Sequence, residues 1–178
     1  MLILAYRGYG DSEGKPSEEG LKLDAEAVLE FALNDSEIDN DRIFVFGRSL
    51  GASVGARLAS QKSNQLQGVI LENGFTSIAD MVDHLMPMVA KFKWLIQRIF
   101  YPTAQYVKDI TCPILIIRGV KDEIVPSFHG VEMFESARKA KFRHLYECAE
   151  GDHNNTWKIG GDEYVRAFKN FFEKAEQK

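Results

Sequence analysis

The chain has 178 residues, 45% of them hydrophobic and 27% charged, with a net charge of -4 and a pI near 5.6. This composition predicts a single globular domain over residues 1–178, and its negative charge excludes the electrostatic attraction on which nucleic-acid binding depends. No apolar run reaches the ~20 residues of a membrane span and no basic signal-peptide start precedes Leu2, so we expect an intracellular, cytoplasmic protein.

The first predicted elements are a strand and a helix. Leu2–Tyr6 is a short apolar run that predicts a buried strand, and the glycine-rich stretch Arg7–Gly14 predicts a loop after it. Ser17 is a candidate N-cap for a helix that has two acidic residues in its first turn. The face of that helix predicted to be buried consists of apolar residues at helical spacing: Leu21, Ala25, Val28, Leu29 and Ala32.

The next stretch has the pattern of a nucleophile elbow. An apolar strand, Ile43–Phe46, enters the Gly-x-Ser-x-Gly turn formed by Gly47, Ser49 and Gly51, and a helix of small and apolar residues follows over Leu50–Ala59. The serine of such a turn has a strained backbone. We expect the turn to leave no room for a side chain at Gly47 or Gly51, so that strand and helix can pass closely. Ser49 is therefore the candidate nucleophile, since an ordinary strand-to-helix turn explains the pattern less well.

A strand over Leu66–Glu72 is followed by a helical excursion over residues 77–109. Two apolar stripes, Ile78–Val89 and Phe92–Phe100, are more than one crossover helix needs, and the Lys91–Arg98 region has basic residues opposite the second stripe. Three interpretations stay open. The excursion is a lid over a site, a basic amphipathic segment on a membrane surface, or a set of helices that cover the sheet.

The C-terminal third predicts two strands that alternate with two helices. The strands are Cys112–Gly119 and His144–Ala149, and the helices are Ser127–Lys139 and Asp162–Lys174. The apolar residues expected to face inward on these helices are Phe128, Val131, Phe134, Tyr164, Val165, Phe168, Phe171 and Phe172. Alternating strands and helices predict an α/β fold, a three-layer α/β/α sandwich with a mostly parallel sheet. Cys112 and Cys148 lie in apolar runs, outside any metal-binding or disulfide pattern, and are expected to be buried free thiols.

Two loops carry the partners that a serine nucleophile needs. A serine hydroxyl requires a base within hydrogen-bond reach and an acid that orients the base, and parallel sheets place such groups at the carboxyl ends of strands. Asp122 and His153 both follow strand ends, which gives the chain order Ser, Asp, His. A free imidazole titrates near pH ~6.5, so we expect activity to rise from acidic to neutral pH.

The competing acids and histidines fit this geometry less well. Glu123 is expected to point elsewhere in the acid loop, and Asp152 is too near His153 in sequence to reach its ring. Three other histidines lie in the excursion, in a helix and at a strand start, and they are His84, His129 and His144.

Four ordered motifs extend over essentially the whole chain and resemble the α/β-hydrolase superfamily, with the bud-emergence (Bem-type) branch of serine hydrolases as the best match. They are Tyr6–Gly14, Phe46–Ala52, Gly119–Pro126 and Gly151–Asn154. The resemblance implies cleavage of an ester or thioester of a small-molecule or acylated substrate, with neither metal nor organic cofactor. It implies Ser49, Asp122 and His153 as the triad and the Leu50 N–H as an oxyanion donor.

The resemblance also implies strands before Leu2–Tyr6 that this sequence does not contain. One of them carries the second oxyanion donor and lies between Leu2–Tyr6 and Ile43–Phe46, so we expect an N-terminally truncated sheet with a gap at that place and a perturbed first strand. A bare strand edge favours association, so an oligomer that covers the edge is a further expectation.

Three functions follow from these patterns. The first is a serine esterase or thioesterase, whose apolar stripes suit a lipid-like acyl group. The second is a weakly catalytic, hydrolase-like interaction module that lacks one oxyanion donor. The third is a serine peptidase, because the same fold and triad also cleave amides.

Overall fold

A computed structural model describes residues 1–85 and 99–177. The helices are α1 (Glu18–Asn34), α2 (Leu50–Lys62), α3 (Ile78–Leu85), α4 (Thr103–Asp109), α5 (Phe128–Ser136) and α6 (Thr156–Glu176). The strands are β1 (Phe44–Arg48), β2 (Gly68–Glu72), β3 (Ile114–Gly119) and β4 (Arg143–Cys148). Short 3-10 turns occupy Asn40–Arg42 and Ser63–Gln65. Along the described chain no helix has the length and apolarity to cross a bilayer.

The four strands form one parallel sheet in the order β1-β2-β3-β4. The register pairs Arg48 with Glu72 and Gly119 with Cys148, so the last residues of the strands lie along one edge of the sheet. The loops that follow β1, β2, β3 and β4 therefore meet at that edge.

Helices cover both faces of the sheet, as the sequence predicted. Val69 and Leu71 of β2 belong to the core shared with α1, α2 and α4, whereas Ile70 between them belongs to the core beneath α6. The two-residue alternation along a strand separates the two cores. The three-layer α/β/α prediction is confirmed, and Cys112 and Cys148 are buried free thiols.

The Leu2–Tyr6 segment is not a strand, so that prediction was wrong, whereas the expectation of a perturbed segment is confirmed. An apolar run forms a strand only where a neighbour satisfies its N–H and C=O groups, and β1 pairs with β2 alone among the described strands. Leu4 and Tyr6 still pack against the core, but Ile3 is 82% exposed.

The buried faces of two C-terminal helices differ from prediction at three exposed residues, Phe128, Val131 and Val165. In α5 the buried residues are His129, Gly130 and Met133, whereas Phe128 and Val131 are exposed. Gly130 packs directly on the Arg118 side chain, and Phe134 packs against the core as predicted. In α6, which begins at Thr156 and breaks at Gly161 (φ 46°), Phe171 is fully buried and Tyr164, Phe168 and Phe172 pack against the same core, as predicted, whereas Val165 is exposed.

The excursion predicted for residues 77–109 includes α3 and α4 within the described chain. The region Lys91–Arg98, proposed as a membrane-binding surface, lies outside the described residues, as does most of the second apolar stripe. The two ends of the excursion meet where the Ile78 N–H donates to the Phe100 carbonyl at 3.1 Å.

Candidate active site

Ser49 lies at the turn between β1 and α2 with a left-handed backbone, φ 54° and ψ -119°. This conformation costs a non-glycine residue roughly 1–3 kcal/mol, and the Ser49 N–H, which donates to the Glu72 carbonyl at 2.9 Å, helps to hold it. A Cβ on Gly47 would lie 2.1 Å from the Gly51 carbonyl oxygen, so the turn admits no side chain there. The geometry is that of the nucleophile elbow predicted from the sequence.

The second elbow glycine is under less constraint than expected. A Cβ on Gly51 would meet only the Tyr6 hydroxyl, at 3.8 Å, which is an ordinary van der Waals contact. The requirement for a bare backbone therefore holds for Gly47 and not for Gly51, because the close approach of α2 to β1 takes place over Gly47.

Asp122 is held by the loop that follows β3. Its Oδ1 accepts hydrogen bonds from the backbone N–H groups of Ile124 (2.9 Å) and Val125 (2.7 Å), which fixes the carboxylate within its own turn. Its Oδ2 faces the Nδ1 of His153 at 2.7 Å. The side chain is only 2% exposed, so this acid acts on its partner with little competition from water.

His153, in the loop after β4, connects the acid to the nucleophile. Its Nε2 lies 3.1 Å from the Ser49 Oγ while its Nδ1 contacts Asp122. The imidazole side chain is 9% exposed and Ser49 is partly accessible. The structure thus brings all three predicted residues into the Ser–His–Asp arrangement, over sequence separations of 31 and 104 residues.

The competing residues are engaged elsewhere. The Asp152 carboxylate caps the turn that follows it, accepting from the N–H groups of Asn154 (2.7 Å) and Asn155 (3.1 Å), and Glu123 is exposed. His129 is fully buried in α5 with its Nδ1 2.8 Å from the Thr76 hydroxyl. His144 is exposed at the start of β4, at the opposite end of the sheet.

Three polar residues around the site were missed by the sequence analysis. Asn73 and Glu72 are buried at the end of β2, and Arg48 precedes the nucleophile and donates to the His153 carbonyl at 2.7 Å. The Glu72 carboxylate accepts from the Tyr164 hydroxyl at 2.7 Å; burial, and then this bond, raise the pKa of Tyr164. For Glu72 and Asn73 a sequence signal did exist. A carboxylate and an amide stand at the end of an apolar strand, where side chains are expected to be buried.

Leu50 is the first residue of α2, so its N–H lies directly after the nucleophile, as predicted for an oxyanion donor. At this end of α2 the helix dipole also favours developing negative charge.

The parallel sheet, its covering helices and the elbow define the chain as an α/β hydrolase. It belongs to the family described as serine aminopeptidase, S33, whose model matches residues 1–106.

The relatives lie in the branch that the sequence motifs indicated. The chain is 37% identical to the Alpha/beta hydrolase domain-containing protein WAV2 of Arabidopsis thaliana, over 98% of this chain and 60% of that protein. It is 34% identical to Protein bem46 of Schizosaccharomyces pombe, over 96% of this chain and 56% of that protein. The resemblance to the Bem-type branch is confirmed, and the chain spans little more than half the length of these relatives.

A solved structure has the same fold. The esterase Pf2001 of Pyrococcus furiosus superimposes with a TM-score of 0.76 at 20% identity, over 95% of this chain and 68% of that one.

Proposed function

We propose that this α/β hydrolase cleaves carboxylic esters or thioesters by an acyl-enzyme mechanism at Ser49. The observation that carries the proposal is the continuous set of contacts from Asp122 Oδ2 to His153 Nδ1 (2.7 Å) and from His153 Nε2 to Ser49 Oγ (3.1 Å). A serine hydroxyl becomes an effective nucleophile at neutral pH only with such a base in reach.

Each residue has a defined part in the two half-reactions. The Ser49 Oγ attacks the acyl carbon as His153 Nε2 takes its proton, and that proton then passes to the departing alcohol or thiol. Asp122 keeps the proton of the neutral imidazole on Nδ1 and stabilises the imidazolium. The Leu50 N–H donates to the oxyanion. In the second half-reaction water attacks the acyl-enzyme while His153 takes its proton, and the proton then passes to the Ser49 Oγ as the carboxylic acid is released.

Exposed apolar side chains beside the acid favour a substrate with an acyl chain. Val120 and Ile124, in the loop that carries Asp122, are 41% and 50% exposed, and Phe128 follows at 45%. Hydrophobic side chains make up most of the lining of small-molecule sites. A lipid-like acyl group is therefore the substrate class that this surface suits best.

A second candidate is peptide hydrolysis, which the family description, serine aminopeptidase, favours. The same nucleophile and base act on an amide, whose nitrogen leaves only after it has been protonated. Ester cleavage ranks first here because three apolar side chains beside Asp122, those of Val120, Ile124 and Phe128, are exposed.

The test offers the protein three substrates, which contain an ester, a thioester and an amide bond. Wild-type protein and Ser49→Ala are assayed with p-nitrophenyl butyrate, butyryl-coenzyme A and an alanine p-nitroanilide. Ester or thioester turnover that is abolished in Ser49→Ala supports the proposal. Turnover of the anilide alone replaces it with the peptidase, and turnover that persists in Ser49→Ala overturns both.

A further inference from the structure

Two adjacent polar residues lie buried at the end of β2, outside the Ser–His–Asp set. Glu72 is 1% exposed and Asn73 is 3% exposed. Buried polar groups cost free energy unless they are hydrogen-bonded, so the partners that satisfy these two side chains indicate what the pair does.

The Asn73 amide joins the loop of the acid to the loop of the base. Its Oδ1 accepts from the Gly119 N–H at 2.8 Å, where the Asp122 loop begins, and its Nδ2 donates to the His153 carbonyl at 3.0 Å. Two longer contacts, both 3.4 Å, run from Nδ2 to the Asp152 carbonyl and the Thr156 hydroxyl. This planar side chain thus bridges the two loops that carry the His153–Asp122 pair, next to the backbone hydrogen bonds from Val120 to Cys148 and from Lys121 to Gly151, both 2.9 Å.

Glu72 joins the nucleophile turn to the helix that follows the base. Its carbonyl accepts from the Ser49 N–H at 2.9 Å, and its carboxylate accepts from the Thr156 hydroxyl at 2.5 Å and from Tyr164 at 2.7 Å. Thr156 is the first residue of α6, three residues after His153. The end of β2 therefore contacts the loops or turns of all three members of the Ser–His–Asp set.

We propose that Asn73 is a positioning residue for the reaction proposed above, on which this inference rests, with Glu72 as its support. Asn73 contacts neither substrate nor reacting atoms; it fixes the His153 backbone and thereby the distances from the imidazole to Ser49 and Asp122. Arg48 donates to the same carbonyl and to the Asn154 side chain, but its own side chain is exposed, whereas the Asn73 amide is buried. A displacement of ~1 Å in such a site costs on the order of 10²-fold in rate.

The backbone at this position explains why the residue is asparagine. Its φ of 46° is left-handed, a region that glycine and asparagine enter with less strain than other residues. The amide also supplies one donor and one acceptor, as the His153 carbonyl and the Gly119 N–H require. Aspartate has no donor for the carbonyl, and glycine keeps the backbone but makes neither bond.

These differences define the test. For Asn73→Gly we expect kcat for p-nitrophenyl butyrate to fall about 10- to 100-fold, with KM within twofold of wild type, because binding of the acyl group is untouched. Asn73→Asp should lose at least as much, since a carboxylate then faces the His153 carbonyl oxygen. Ser53→Ala is the matched control: it removes a buried hydrogen bond to the Thr103 hydroxyl (2.6 Å), which joins α2 to α4.

All variants are assayed well below their measured melting temperatures, so that loss of folded protein does not enter kcat. Wild-type kcat in Asn73→Gly, or an equal fall of kcat in Ser53→Ala, would overturn the positioning role. If the wild-type chain has no Ser49-dependent turnover, the proposed function falls and the positioning role with it. An active wild type with an unaffected Asn73→Gly removes the positioning role alone.

Discussion

Replacement by alanine is expected to affect stability and the reactivity of Ser49 very differently at the two elbow glycines. A Cβ on Gly47 would lie 2.1 Å from the Gly51 oxygen, 2.5 Å from the Gly51 carbonyl carbon and 2.9 Å from the Ala52 nitrogen. All three atoms belong to the backbone, so no side chain can rotate away to relieve the clash. Relief of the clash to 3.0 Å, below which Cβ contacts essentially do not occur, needs a separation of α2 from β1 of at least 0.9 Å, the difference from 2.1 Å, and ordinary contact at 3.4 Å needs 1.3 Å.

That movement displaces the nucleophile, because Ser49 lies between the two glycines. Overpacking of this kind costs about 1–3 kcal/mol or more, and a shift of ~1 Å at the reacting atom costs on the order of 10²-fold in rate. For Gly47→Ala we expect a lower melting temperature and a reaction of Ser49 with a fluorophosphonate that is about 100-fold slower. The assay is the second-order inactivation rate, measured on protein that circular dichroism shows to be folded.

Gly51→Ala is the control, since its Cβ meets only the Tyr6 hydroxyl at 3.8 Å. Gly51 lies in the first turn of α2, and alanine is the better helix former, by up to ~1 kcal/mol, so this variant should be at least as stable as wild type and react within about threefold of its rate. Wild-type stability and reactivity in Gly47→Ala, or equal damage in the two variants, would refute the account of the elbow.

Three further predictions concern the acid, an ion pair and the α6 core. Asp122→Asn should leave the fold intact but lower kcat about 10³- to 10⁴-fold, because an amide at Oδ2 favours the wrong imidazole tautomer; ester turnover checks this, and near-normal kcat would contradict it. Arg7 lowers the pKa of Asp24, chiefly through its hydrogen bonds, so Asp24 stabilises the fold above pH ~4 and loses this effect as pH falls through its lowered pKa. The melting-temperature gap between wild type and Asp24→Asn should thus be full at neutral pH and close in strong acid; a gap unchanged by pH removes the ion-pair explanation. Phe171→Ala should lower the free energy of unfolding by about 3–5 kcal/mol and Val165→Ala by no more than about 0.5 kcal/mol in urea titrations, and a reversed order would reject the observed α6 face.

Local patterns predicted the elements and site residues that depend on the chain itself. The Gly-x-Ser-x-Gly turn between an apolar strand and a helix located Ser49, and the parallel sheet explained why Asp122 and His153 should join it. These residues follow strands that end at one edge, so their proximity is a consequence of topology.

The errors arose where distant contacts decide the outcome. Leu2–Tyr6 has a strand-like composition, but none of the strands in the described residues pairs with it, and composition carries no information about a neighbour. Phe128 and Val165 share helical spacing with residues that pack inward, yet both are exposed, because spacing within a helix does not show how far its buried face extends. Asn73 was missed because its partners lie 46 and 80 residues away in sequence.

The central claim is that Ser49 is a nucleophile activated by His153. Its most direct test is mass spectrometry of the folded chain after reaction with a fluorophosphonate, with Ser49→Ala and His153→Ala as controls. We expect one adduct per chain, located on Ser49, absent from Ser49→Ala and formed at least 100-fold more slowly in His153→Ala. An unmodified wild-type chain, an adduct on another residue, or a His153→Ala variant that reacts at the wild-type rate would contradict the claim.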